Sequence, residues 1–388
     1  MALPTLLPLV ALAFSIYFII IIIFSSSSAL LCSQVQSSAL LQFKHLFSFS
    51  ESASFLCDNS YPKMKSWKVS TDCCSWDGVT CDRVRGDVIG LDLSCSWLYG
   101  TIPSNISLFL LPHLQHLNLA FNDFSFSPIS SGFGQFARLR YLNLSGSWFS
   151  SQVPLKLSHL SQLTSLDLSH NGFVYLESSF MKRLVKNMTK LRELQLDEVD
   201  MSLVSVSSSL TSLTLEACQL SGRMSNNIFH LPNLCELNLK ENRELMGVFP
   251  MANWTNPLRF LDVSSMTFSR ELSKSIGNLK FLRNLRLNEC SFTGSVPISL
   301  GNLTQLTHLD LSYNDFSGEI PSLLSKLNEL SYLALQFNQL TGKIPSSFWV
   351  GNAYSLEIFF NLIKLQFCRI DTCITWEPHE SYWNFPQI

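Results

Sequence analysis

The sequence predicts an α/β repeat solenoid, with parallel β-strands along a concave face and a disulfide-stapled cap at its N-terminal end. Three observations carry this expectation. From residue 88 onward a unit of the form L-x-x-L-x-L-x-x-N, often followed by x-F/L-x-G-x-I-P, recurs eleven times. Its last five intervals, from Leu210 to Leu330, are equal. Six of the eleven cysteines (Cys32, Cys57, Cys73, Cys74, Cys81 and Cys95) fall in the first quarter of the 388-residue chain. A fixed period of this size is the signature of a repeat architecture, and chance matches do not keep register so long. Clustered cysteines without a C-x-x-C pair argue for disulfides in an oxidising compartment over a zinc site.

The units begin at Val88, Leu114, Leu139, Leu163, Leu191, Leu210, Leu234, Leu258, Leu282, Leu306 and Leu330. The interval after Leu163 is the longest and the one after Leu191 the shortest. Period and consensus are those of a leucine-rich repeat. In Leu309-Asp310-Leu311 the alternation turns two leucines inward and Asp310 outward, as a short strand requires. Leu306 enters the same interior from the preceding corner. Phe316, Ile320, Leu323, Leu324 and Leu327 close the coil. One coil cannot bury its own leucines, so stability comes from stacking. Eleven strands at ~4.8 Å spacing give an inner face about 50 Å long.

Position nine of the unit holds Asn122, Asn171, Asn242, Asn314 and Asn338. A buried amide there bonds backbone groups that the turn leaves without partners. Cys218 and Cys290 take the same position and are expected to be buried structural thiols. The long unit after Leu163 carries Phe180-Met181-Lys182-Arg183-Leu184-Val185-Lys186, which predicts a helical turn on the convex side. The short unit that follows it requires a short outer arc.

The chain is 46% apolar and 14% charged, with net charge −2. It lacks the basic stripe of a nucleic-acid binder, so no nucleic-acid partner is expected. It has ample apolar content for a core. Residues 6–24 form an apolar run followed by small residues, and Ser27 and Ala29 fit a signal-peptidase site. That predicts a signal peptide over residues 1–29; the run is also long enough to serve as an uncleaved anchor. There is no kinase signature, G-x-S-x-G elbow, H-E-x-x-H or P-loop, and the eight histidines show no metal-ligand spacing. The sequence therefore predicts no enzyme, no metal and no cofactor.

Residues 39–44 (ALLQFK) and 67–82 (WKVSTDCCSWDGVTCD) resemble the N-terminal cap of plant extracellular leucine-rich-repeat proteins. The L-x-G-x-I-P tails at residues 100–103, 294–297, 318–321 and 342–345 are similar to the plant-specific repeat subclass. The longer stretch between Phe43 and Trp67 is most similar to plant receptor-like proteins of the effector-recognition, disease-resistance class. The resemblance covers roughly residues 30–350. It implies a right-handed leucine-rich-repeat superhelix facing the cell exterior. Such proteins lack a kinase domain, usually carry a C-terminal membrane helix, and signal through a co-receptor kinase in the membrane. It also implies disulfides Cys32–Cys73 and Cys74–Cys81, with Cys57 and Cys95 as a candidate third pair.

The expected organisation is a signal peptide (1–29), a cap (30–87), an array of about eleven repeats (88–353) and a tail without repeat register (354–388), as in a chain truncated at its C-terminus. Acceptor motifs for N-glycans stand at Asn105, Asn143, Asn187, Asn253 and Asn302. Asn143 lies on an inner strand, where a glycan would obstruct the groove. The outward positions of several repeats are plain, such as Asp167 with Ser169 and Asp310 with Ser312. Between repeats five and nine they become charged. Glu193, Gln195, Asp197, Glu216, Glu236, Asn238, Lys240, Phe260, Arg286 and Asn288 are the expected ligand-binding residues. This mostly acidic patch favours a peptide or protein ligand with basic groups. The expected function is ligand recognition in plant immune or developmental signalling, at the plasma membrane or outside the cell. The alternative is a soluble inhibitor of a secreted microbial cell-wall hydrolase, of the polygalacturonase-inhibitor type.

Overall fold

The computed structural model describes residues 32–201, 208–252, 254, 256–268 and 271–342, together with three short strands at 357–359, 367–369 and 372–374. The expected signal peptide, most of the tail and the acceptor Asn253 lie outside the described residues.

The concave face is one thirteen-stranded sheet. Its strands are β1 (Val79–Cys81), β2 (Val88–Asp92), β3 (His116–Asn118), β4 (Tyr141–Asn143), β5 (Ser165–Asp167), β6 (Glu193–Gln195), β7 (Ser212–Thr214), β8 (Glu236–Asn238), β9 (Phe260–Asp262), β10 (Asn284–Arg286), β11 (His308–Asp310), β12 (Tyr332–Ala334) and β13 (Glu357–Phe359). From β2 onward every neighbour is parallel and in register, so that Leu285 stands beside Leu261 and Leu309. The central leucines of these strands, from Leu91 to Leu333, are buried. Period-two alternation puts them in one row, and the row is the core.

The array runs one strand further than the sequence indicates. β13 pairs with β12, placing Ile358 opposite Leu333. The expectation that register ends at residue 353 assumed one more step of the regular length, which sets Glu357 at a leucine position. The observed step is one residue longer than those between β8 and β12, and it sets Glu357 opposite Tyr332 instead.

The polar position nine works as a bracket between coils. Asn171 Nδ2 donates to the carbonyls of Leu144 (2.9 Å), Leu168 (3.0 Å) and Ser169 (3.1 Å). Its Oδ1 accepts from the amides of Ser147 and Phe149. Asn122 and Asn314 repeat the pattern. Where the position holds cysteine, only the donor survives: Cys218 Sγ meets the Leu196 carbonyl at 2.9 Å, and Cys290 Sγ meets that of Val263 at 2.9 Å. Burial pushes both thiols up to about 12, so they stay protonated and inert. Ser147 fills the same position in its coil and donates to the Leu119 carbonyl, a third solution the sequence reading did not pick out.

The return segments are short 3₁₀ turns such as Ser131–Gln135 and Lys274–Asn278. Helix α2 (Ser178–Asn187) replaces one of them in the long unit after Leu163, on the segment expected to be helical. It buries Phe180, Met181 and Leu184. A row of rings threads the coils behind the bracket: Phe249, Phe268, Phe292 and Phe316 follow at centroid spacings of 4.6, 5.0 and 5.9 Å.

The cap covers the N-terminal edge of the sheet. Helix α1 (Gln34–Lys44), N-capped by Ser33, buries Ala39, Leu40 and Phe43. Its Gln36 Oε1 accepts the Val88 amide at 2.6 Å. β1 lies antiparallel on β2 and pairs that strand's outer edge. The structure bonds Cys32 to Cys73, Cys74 to Cys81 and Cys57 to Cys95. The last bridge ties the extended cap segment to the first coil, where Ser48–Phe49 also pairs with Leu98–Tyr99.

Candidate ligand-binding face

Positions three and five of each coil lie on the strands of the concave sheet, and positions seven and eight in the turns that leave them. Positions three and five are set by strand register. Glu193, Ser212, Glu236, Phe260 and Asn284 stand side by side on β6 to β10, and Gln195, Thr214, Asn238, Asp262 and Arg286 form the adjoining column. The ten residues expected to bind ligand therefore lie on five consecutive strands or in the turns that leave them.

Several of these charges are already paired. Lys240 Nζ lies 2.7 Å from Glu216 Oε1 and 3.0 Å from Glu241 Oε1. Asn238 Nδ2 donates to Glu216 Oε2 at 2.9 Å. Burial opposes ionisation of Glu216, but the Lys240 and Asn238 bonds outweigh it and hold its carboxyl below the usual range. Lys240 is shifted upward, led by its bond to Glu216. Asp197 moves the other way: burial raises it, although its Oδ1 accepts the Glu216 amide at 2.6 Å. Ser212 Oγ donates to Glu236 Oε2, and the Arg286 guanidinium stands 6.0 Å from the Phe260 ring centroid. Glu193, Glu236 and Arg286 remain exposed, and Phe260 is partly exposed. Asn288 Oδ1 accepts from Ser264 Oγ at 2.6 Å.

Two sequence readings need correction. Asp167 and Ser169 are not plain solvated residues: both are buried, and Asp167 Oδ1 accepts the amide and hydroxyl of Ser169. Asp262 with Ser264, and Asp310 with Ser312, close the same ring. The side chain at position five thus bonds the chain as it leaves the strand, an Asx-type turn. Asp262, which stands in the patch's second column between Asn238 and Arg286, belongs to this device. Asn143 does too: its Oδ1 accepts from Ser145, and its Nδ2 donates to the Tyr141 hydroxyl at 3.2 Å. Of the other glycan acceptors, Asn105 and Asn302 are exposed, and Asn187 is half-buried at the end of α2.

The patch is flanked by stacked ring pairs that sequence reasoning missed. His116 stacks on Tyr141 at 4.2 Å, and His308 on Tyr332 at 5.9 Å. Burial lowers the His116 pKa, with Asp92 pulling against it. The legible signal was an aromatic at position three in adjacent units.

Position eight has a left-handed backbone in all eleven coils. Cys95, Phe121, Gly146, His170, Glu198, Ala217, Glu241, Ser265, Glu289, Tyr313 and Phe337 have φ between 51° and 63°. Each turn leaves the strand while its amide still reaches the next coil, as Glu198 does to the Glu216 carbonyl at 2.7 Å. Only Gly146 meets the conformation without the Cβ penalty.

Residues 33–82 match the family described as Leucine rich repeat N-terminal domain, and residues 281–303, 305–327 and 329–350 match Leucine Rich Repeat. Receptor-like protein 6 of Arabidopsis thaliana is 44% identical over 275 residues, 66% of this chain and 28% of its own length. Receptor-like protein Cf-9 of Solanum pimpinellifolium is 38% identical over 265 residues, 65% of this chain and 31% of its own. This chain thus spans less than a third of the length of those relatives. The crystal structure of PEPR1-AtPEP1 superposes with a TM-score of 0.59 at 26% identity, over 85% of this chain and 48% of that one. With a stapled cap, a coil-bracketing polar ladder and a parallel concave sheet, the chain is a leucine-rich-repeat solenoid, and its relatives in sequence are plant receptor-like proteins.

Proposed function

We propose that this chain is the ligand-recognition part of a receptor-like protein in plant immune or developmental signalling. It works outside the cell, binds a peptide or protein on β6 to β10, and acts through a partner kinase in the membrane. Its mechanism is recognition, with no bond made or broken. The observation that carries the reading is the run β6 to β10, in which exposed Glu193, Glu236 and Arg286 and the partly exposed Phe260 stand beside a single self-satisfied Asp–Ser turn, that of β9. The names of the sequence relatives support it. Exposed Glu193 and Glu236, beside the partly exposed Glu216, favour a ligand with basic groups by steering and complementarity.

The test is selection of displayed random peptides on the secreted full chain, followed by affinity measurement on the combined variant Glu193→Ala, Glu216→Ala, Glu236→Ala. Basic peptides should enrich, and their affinity should fall more than about tenfold in the variant. Secretion should be unchanged. Equal affinity for both proteins would remove the patch as the site, and inhibition of a fungal polygalacturonase by the wild-type chain would point to the inhibitor class instead.

A further inference from the structure

An unexplained feature lies beside the acidic patch, on the flank where the extended cap meets coils two to five. A cavity of about 350 Å³ opens there. One wall is the cap segment carrying Phe55 and Leu56. The Cys57–Cys95 bridge fixes it, and so does Ser54 Oγ, which donates to the Phe121 carbonyl at 2.8 Å and accepts the Trp97 amide at 3.0 Å. The opposite wall is built by Phe121, Trp148 and Phe173, with buried Phe149 as floor. The two walls are independent parts of the chain, so the cavity is a product of tertiary structure.

Its exposure is costly. Phe55, Leu56, Trp148 and Phe173 are 66%, 65%, 42% and 60% exposed. Phe126 extends the surface, standing edge-on to Trp148 at 5.6 Å and to Phe173 at 5.0 Å. Contiguous exposed aromatics of this kind mark a binding surface. Size, aromatic lining and a few convergent polar groups are those of a ligand pocket.

The polar groups select the occupant. His170 Nδ1 and Glu198 Oε1 sit 3.2 Å apart at the rim, and no lysine or arginine is among the described lining residues. Glu198 is next to Asp197 of the acidic patch, and its amide bonds the carbonyl of Glu216. The rim of the pocket and the edge of the patch are therefore continuous.

We infer that this flank pocket is the anchor site for the ligand of the concave face, and that it takes a bulky aromatic or aliphatic side chain followed by a basic residue. The ring or branched chain fills the space between Trp148 and Phe55. The cation meets Glu198, displacing or joining His170. The occupant is a peptide segment of that chemistry. This inference rests on the proposed concave-face reading and adds its specificity.

The experiment uses the secreted full chain and four labelled synthetic peptides with a common Gly/Ser spacer, carrying Trp-Lys, Trp-Ser, Ser-Lys or Ser-Ser at the centre. The Trp-Lys peptide should bind more than about tenfold tighter than any other. Trp148→Ala and Phe173→Ser should each remove that advantage, and Glu198→Gln should erase the preference for Lys over Ser while binding of Trp-Ser persists. Trp148 and Phe173 are partly exposed, so unchanged melting of the variants verifies that the fold is intact. Equal binding of all four peptides, or binding indifferent to these substitutions, overturns the inference. So does a wild-type dimer that Trp148→Ala dissociates, since a second copy would then fill the pocket. The triple Glu variant separates the two proposals: retained Trp-Lys binding there leaves the pocket standing without the patch, whereas loss only in the triple variant leaves the patch without the pocket.

Discussion

Asn171 is a five-bond bracket with almost no access to water. Truncating it removes the partner of the Leu144 and Leu168 carbonyls and of the Ser147 and Phe149 amides, each costing about 1–3 kcal/mol unless water enters, while the Ser169 carbonyl keeps the Gly146 amide. Asn171→Ala should therefore destabilise the chain by at least about 3 kcal/mol, read as a shift of the urea midpoint. A shift under about 1 kcal/mol would show that solvent replaces the amide. Asp262 poses the opposite case. Burial pushes its carboxyl above the usual range, against the bonds from Ser264 and the pull of Arg286. A folded-state pKa above the unfolded value gives stability that is present at low pH and lost as pH rises through the folded pKa. Asp262→Asn keeps the acceptor for Ser264, as Asn143 does for Ser145, and removes the ionisation. Its stability relative to wild type should grow from about pH 3 to pH 7. Urea midpoints at the two pH values check this, and a constant difference refutes it. Glu216, held below its usual range by Lys240 and Asn238, contributes with the opposite sign and is unchanged by the substitution. These roles separate what was legible from what was not. The position-nine Asn was readable because its period and burial follow from the leucines around it. The position-five Asp was not, because an outward polar residue in a strand looks solvated until the turn after it is seen to fold back onto its carboxylate.

At the scale of elements, the clearest device is the third disulfide. Cys57 and Cys95 are 38 residues apart and hold the extended cap against the first coil. Closing a loop of that length is worth about 2–4 kcal/mol in the chain-entropy account. Replacing both cysteines with serine should lower the melting temperature and open residues 46–66 to proteolysis before the repeats. Cleavage appearing first within the array would contradict this. The strands themselves were legible, since paired inward leucines recurring at a fixed period admit one register. The helical character of 180–186 was also readable, from apolar spacing within a unit longer than its neighbours. β13 was hidden because its coil takes one residue more than the regular step from β7 to β12, and a reading fixed on that step sets the strand one residue out of register. The flank pocket was hidden for a different reason. Phe55 and Trp148 are brought together only by a bridge and by hydrogen bonds between distant segments.

On the scale of the molecule, the sheet behaves as a ruled surface. Residues at one position in successive units are neighbours in space, so sequence offset by one unit means contact, and adjacent sequence means opposite faces. The exposed concave side chains therefore form columns running across coils, bracketed by His116 with Tyr141 at one end and His308 with Tyr332 at the other. A ligand lying along the groove crosses coils one at a time, and the unit boundaries divide its footprint. The aromatic pocket lies at the N-terminal side of this run, so a peptide bound as proposed would have a defined direction as well as a place.

The bracket at position nine has a consequence for how such a chain can change. Each Asn ties its own coil to the one before it through backbone groups only, without regard to the neighbour's side chains. A duplicated or deleted unit thus finds the same carbonyls waiting on either side. Misaligned recombination between units of equal length yields a molecule that still closes, with its outward columns cut and rejoined. The same indifference lets the inherited scaffold remain fixed while the surface it displays is reshuffled by whole coils.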